Sequence, residues 1–174
     1  IINAAVAFLL WYSISRGKHE IQPLLPALQS WWMKIHVPAN FIGYGAFAIA
    51  AMTSMAWLLK NAGLKIAQHL PDLDTIDEFT YRAIAIGFLF FTIATVLGAL
   101  WAADAWGAYW QWDPKEVWAL IVWLNYAAWL HLRLMVGWRG KPLAWWALLG
   151  LIITTFAFIG VNMWLSGLHS YGKL

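Results

Sequence analysis

Three stretches of this chain are too long and too free of charge to sit in a water-soluble domain. Val37–Leu59 runs 23 residues without Asp, Glu, Lys or Arg, Ala83–Ala103 runs 21, and Leu143–Trp164 runs 22. At about 1.5 Å rise per residue each covers roughly 31–35 Å, the thickness of a bilayer's hydrocarbon core. All three are read as transmembrane helices. Val117–Met135 is a fourth, with polar residues only at Asn125, His131 and Arg133; without it the flanking loops would need a re-entrant path. Ile1–Tyr12 is apolar but lacks the basic start and small-residue cleavage site of a signal peptide. It reads as the end of a partial helix, so the chain is expected to be part of a longer protein. The composition agrees, with 63% hydrophobic and 11% charged residues against about 45–50% and about 25% in soluble domains. The expected fold is an all-α integral membrane protein: four full transmembrane helices plus a partial N-terminal one, forming a single domain over 1–174.

Alternation assigns residues 13–36, 104–116 and 165–174 to one side and 60–82 and 136–142 to the other. With Arg133, just ahead of the 136–142 turn, counted on the second side, Lys and Arg divide six to five in its favour, too even to orient the chain alone. The short turn Gly137–Pro142 with nearby Arg133 is the better indicator and is placed in the cytoplasm. The formal charge of +3 contains no basic run or face, so nucleic acid is not an expected partner. Thr75-Ile-Asp-Glu78 reads as a capping box opening the second helix, and Asp113-Pro-Lys-Glu116 as one opening the third. Asp72, Asp74, Asp77 and Glu78 read as a solvated acidic face.

The loop between the second and third helices and its flanks, about 101–118, read Trp101-Ala-Ala-Asp-Ala-Trp-Gly-Ala-Tyr-Trp-Gln-Trp-Asp-Pro-Lys-Glu-Val-Trp118. Seven of the 15 Trp lie between Trp101 and Trp129. An interfacial aromatic belt accounts for one or two Trp per helix end. Trp106, Tyr109, Trp110 and Trp112 in one short loop exceed that, and rigid flat rings with an N–H handle suit a large planar apolar ligand such as a porphyrin.

Cysteine is absent, which removes disulfides, zinc ribbons, iron–sulfur clusters, thiolate nucleophiles and a haem-attaching Cys-x-x-Cys-His within this chain. The soft ligands left are five His and five Met. His36, just before the first helix, and His169, after the last, flank the Trp loop at one level. Each reads either as a structural interface histidine or as half of a bis-imidazole iron site. His131 lies about 21 Å deeper along its helix and cannot share an iron with them. An ionisable residue inside a bilayer is a functional candidate by default; hydrogen bonding to a neighbouring helix is the alternative.

The ordered set Trp106-Gly-Ala-Tyr-Trp-Gln-Trp-Asp-Pro-Lys-Glu-Val-Trp118 and Tyr126-Ala-Ala-Trp-Leu-His-Leu-Arg133 resembles the tryptophan-rich WWD signature of haem-handling proteins of cytochrome c maturation. Trp-Asp-Pro-Lys-Glu with Leu-His-Leu-Arg downstream resembles the system II, CcsA-type branch. The similarity continues through Pro26–Ser30, Ile35-His-Val37, Leu73–Gly87, Gly160-Val-Asn162 and Ser166–Tyr171, with Val117 standing where relatives often have Thr. It implies that His36 and His169 are external ligands of ferrous haem b, and that His131 is a transmembrane ligand receiving haem during export. Trp106, Tyr109, Trp110, Trp112, Asp113 and Trp118 fall within the WWD segment that holds the macrocycle. It also implies a holocytochrome c synthase, templating thioether formation without a dedicated general base, in a bacterial inner or thylakoid membrane with the Trp loop extracytoplasmic. The implied partners are a CcsB-type segment carrying a second transmembrane histidine, apocytochrome c, thiol-reducing proteins and membrane lipid. A b-type electron-transfer protein and a haem transporter without synthase activity are the competing readings.

Overall fold

The computed structural model describes residues 29–165, Gly167 and Leu168, with Trp11 and Ser15 as isolated positions. Apart from Trp11, the expected partial helix Ile1–Tyr12 lies outside the described residues. Those described contain helices and connections but no strand. Four helices are long and apolar enough to cross a membrane: α1 (Trp31–Asn61), α2 (Leu73–Trp106), α3 (Pro114–Val136) and α4 (Lys141–Trp164). A 3₁₀ turn, Lys65–Ala67, lies between α1 and α2. The last two helices contain π turns, Leu132–Val136 in α3 and Phe156–Gly160 in α4.

Each helix begins before its charge-free core, and in the first three a polar cap residue stands outside the apolar stretch. α1 starts at Trp31, six residues ahead of Val37, with Ser30 Oγ accepting from the Trp32 amide at 3.3 Å. His36 is therefore inside α1 rather than ahead of it. α2 is capped by Asp72, not by Thr75: the Asp72 carboxylate accepts from the Thr75 amide at 2.9 Å and from its hydroxyl at 2.7 Å. A carboxylate three residues upstream takes both Thr75 donors, so the cap moves outward by one turn. α3 opens on the expected box, in which Asp113 accepts from the Lys115 amide at 3.0 Å and Glu116 from the Asp113 amide at 3.2 Å. Pro114 takes the first helical position, where its missing N–H costs nothing.

The helices close a ring in which α1 packs on α2 and α4, and α3 packs on α2 and α4. Phe47, Ile84, Phe91, Val122, Tyr126, Trp129 and Leu143 fill its centre, with the Phe47 and Tyr126 rings stacked at 3.6 Å and 6°. Large apolar side chains also cover the outside, including Met52, Leu89, Leu124 and Ile152, as a lipid-facing surface requires. Tryptophan N–H groups cross-link the ring: Trp123 donates to Thr92 Oγ1 at 2.9 Å, Trp129 to the Leu143 carbonyl at 3.0 Å, and Trp146 to Asn125 Oδ1 at 2.9 Å. In a medium without water these bonds satisfy groups that would otherwise be orphaned.

At the end where α2 begins, the acidic face is not fully solvated. Arg133, only 5% exposed, pairs with Asp77 and approaches Glu78 at 3.7 Å. Asp77 also accepts from the Gly140 amide at 3.1 Å, and the Arg133 guanidinium stands 5.6 Å from the Tyr81 ring. Asp77 is thus a half-buried counter-ion to the buried Arg133 and ties α2 to the α3–α4 turn.

Candidate functional site

Gly107 ends α2 in the left-handed conformation at φ 78°, its amide donating to the Ala103 carbonyl. That turn leaves a loop of only seven residues, 107–113, before α3, with Trp106 as the last helical residue. Glu116 pins the loop from below, accepting from the Gln111 amide at 2.7 Å. Trp112 has φ 58°, an uncommon conformation for a non-glycine residue, and the residue is 70% exposed. It meets Trp110 edge-on at 5.9 Å and 90°. Trp106 meets the buried Trp101 in the same manner at 5.5 Å.

Beneath the loop lies an open cleft; about 800 Å³ of space lies between its atoms when the solvent at its mouth is included. His36, Asn40 and Tyr44 of α1, Trp101 of α2, and Tyr109 and Trp110 of the loop are among its walls. The His36 ring lies against α2 at Gly98, where an added Cβ would come within 3.0 Å of Cε1. His36 Nδ1 is 2.8 Å from the Ala94 carbonyl oxygen. Since a carbonyl only accepts, Nδ1 carries the proton and Nε2 carries the lone pair. This is the tautomer and backbone anchor of metal-ligating histidines. Asn40 Nδ2 donates to Nε2 at 2.8 Å. An imidazole lone pair in an aromatic cleft fits axial ligation of a planar metal macrocycle, although no group of three His, Asp or Glu converges among the described residues.

The sequence-derived candidates are distributed unequally. His36, Tyr109 and Trp110 share the cleft, whereas Trp106 and Trp112 flank it without lining it. Trp118 packs on Phe156 in the bundle, with ring centroids 4.3 Å apart. Asp113 is buried and turned toward the backbone: besides capping α3, its Oδ1 accepts from the Leu168 amide at 2.6 Å. His131 is exposed near the far end of α3, roughly 26 Å from Pro114 by helical rise. His169 lies outside the described residues. Asn40, Tyr44, Trp101 and Lys115 were not anticipated. Asn40 could have been, since it follows His36 at the i,i+4 spacing of one helix face. Lys115 donates to the Ala157 and Phe158 carbonyls at 3.0 and 3.1 Å and to Asn162 Oδ1 at 3.0 Å. Both carbonyls belong to the π turn of α4, Phe156–Gly160.

Comparison with known proteins finds a match to the family described as "Cytochrome C assembly protein" over residues 1–169. A "Cytochrome c biogenesis protein CcsA" of Chlamydomonas reinhardtii is 41% identical over 174 residues, covering 99% of this chain and 48% of the relative. The protein of the same name from Synechococcus sp. (strain CC9902) is 40% identical over 177 residues, covering 86% and 58%. One from Guillardia theta is 36% identical over 183 residues, covering 93% and 61%. The chain thus spans about half to three-fifths of the length of these relatives.

Proposed function

The chain belongs to the cytochrome C assembly protein family, and from that premise we propose that it presents ferrous haem b at the His36 cleft for covalent attachment to apocytochrome c. The observation that carries this reading is the His36 ring, anchored through Nδ1 with its Nε2 lone pair in a cleft walled by Tyr109 and Trp110. Haem is the substrate here, not a resident cofactor. His36 Nε2 supplies one axial ligand and His169 the other, which holds the iron six-coordinate and limits its oxidation. Tyr109 and Trp110 wall the macrocycle, with Trp112 edge-on to Trp110 and Trp106 edge-on to Trp101 behind the cleft wall.

Attachment adds each thiol of the client's Cys-x-x-Cys-His across one vinyl group. Sulfur bonds to the carbon next to the ring, hydrogen goes to the terminal carbon, and no net oxidation occurs. The client histidine displaces one axial imidazole, so the chain acts by positioning. Thiol-reducing proteins keep the client cysteines reduced. Haem reaches the site from the cytoplasmic side with His131 as one transmembrane ligand and a CcsB-type partner segment supplying the other; the exposure of His131 leaves it open to such a partner. The Trp loop faces the extracytoplasmic side of a bacterial inner or thylakoid membrane.

The test is co-expression of the full-length protein and its partner segment with an apocytochrome. Reduced wild type is expected to show a low-spin haem spectrum and to yield covalent cytochrome, while His36→Ala loses the low-spin bands and most of the product. Bound haem without covalent product would leave only transport or electron transfer, and an unchanged spectrum in His36→Ala would remove the axial assignment.

A further inference from the structure

Asn40 donates to the one ring nitrogen through which His36 would hold iron. Its side-chain amide occupies the single lone pair of His36, and both residues line the same cleft. Turning the ring over would break the Nδ1 bond to Ala94, and the Cε1–Nδ1 edge lies close against Gly98. One acceptor site at Nε2 cannot serve an amide hydrogen and a metal together. We infer that Asn40 is a placeholder for the iron: it satisfies His36 Nε2 in the empty cleft, swings aside when haem is ligated, and re-forms its hydrogen bond when haem departs. The inference rests on the proposed axial role of His36.

The chemical benefit lies in release. A synthase must let its product go, and breaking an iron–imidazole bond inside an apolar cleft would leave a buried lone pair without a partner, which is costly. Asn40 lies one helical turn from His36 on the same face, so a side-chain rotation alone brings its donor back, with no backbone movement. Asn40 is therefore a positioning residue for ligand exchange, acting through His36 rather than on the substrate.

The experiment measures transfer of haem from the purified full-length protein with its partner segment to excess apomyoglobin, for wild type, Asn40→Leu, Asn40→Gln and His36→Ala. Asn40→Leu removes the donor at similar volume. It is expected to retain the low-spin spectrum and to release haem several-fold to about tenfold more slowly, the effect of one neutral hydrogen bond. Asn40→Gln keeps the amide and should recover part of the wild-type rate. A wild-type release rate in Asn40→Leu, with His36→Ala releasing faster, overturns the placeholder and leaves the axial reading standing. If His36→Ala releases haem at the wild-type rate with an unchanged spectrum, the axial reading falls and the placeholder with it. Misfolding of Asn40→Leu would appear as a lost low-spin spectrum; the Asn40→Gln rate then decides, and release equal to His36→Ala counts against the inference.

Discussion

Where the His36 ring lies depends on an atom that is missing from α2. A methyl group at position 98 would meet His36 Cε1 at 3.0 Å and Nδ1 at 3.2 Å, closer than a packed ring tolerates. The ring would have to leave the helix face, and the 2.8 Å bond to the Ala94 carbonyl would lengthen with it. Gly98→Ala is accordingly expected to cost about 1–3 kcal/mol as an overpacking change and to weaken low-spin haem binding while the helix content stays constant. Paired melting and absorption measurements check both halves, and full retention of the spectrum would show that the ring has another place to anchor. This contact was not legible in the sequence. His36 was visible as a histidine near the Trp loop, but the two α2 groups that orient it, Ala94 and Gly98, lie 58 and 62 positions away and carry no chemical signature of their own.

Three of the four helices were legible because a run of more than twenty uncharged residues has few alternatives in a membrane protein, and α3, interrupted by Arg133, followed from the path its flanking loops must take. Their ends were less so: a charge-free window stops at the first ionisable residue, whereas the helix continues until a cap closes it. The Asp113–Glu116 box is legible because all its parts are local, whereas Thr75, itself a good cap residue, hides the Asp72 cap to which it donates. The Asp72 carboxyl titrates below its ordinary 3.8, chiefly through the Thr75 hydroxyl and then the Thr75 amide. Its folded value being the lower one, this stabilisation is complete above the ordinary carboxylate range and is lost as pH falls through the folded value. Thr75→Val is expected to move the titration back toward 3.8, read by NMR of the side-chain carboxyl; no movement would mean the amide alone sets it. The Arg133–Asp77 pair, 56 residues apart, could not be paired from sequence. Arg133→Leu leaves the half-buried Asp77 carboxylate with only the Gly140 amide and Arg139 at 3.8 Å and should cost about 1.5–3 kcal/mol, the worth of a charged hydrogen bond. The double variant Arg133→Leu/Asp77→Asn, which keeps an acceptor for Gly140 without the charge, should recover a clear part of it. Unfolding in detergent compares the two, and equal losses would show that packing, not charge, dominates there.

Across the whole molecule the two ends are chemically opposite. One holds the aromatic cleft and the loop 107–113, with the chain leaving α4 held to Asp113 through Leu168. The other holds the Arg133–Asp77 pair and the turn carrying Arg139. Because the cleft works on a client only if it faces the compartment where that client matures, orientation is the property on which the proposed function stands. Short basic turns stay on the cytoplasmic side, and the α3–α4 turn is the shortest connection between membrane-spanning helices. The 174 residues contain no cysteine, so a single introduced thiol reports one position once any cysteine elsewhere in the full-length protein has been replaced. Gln111 is exposed in the loop at the cleft end, and the Arg139 side chain is 67% exposed at the other. Gln111→Cys is expected to react with a membrane-impermeant maleimide in intact spheroplasts, and Arg139→Cys only after lysis. The reverse pattern would put the cleft in the cytoplasm, where it could receive haem but not meet an exported apocytochrome, and the synthase reading would then be untenable even if haem binds as described.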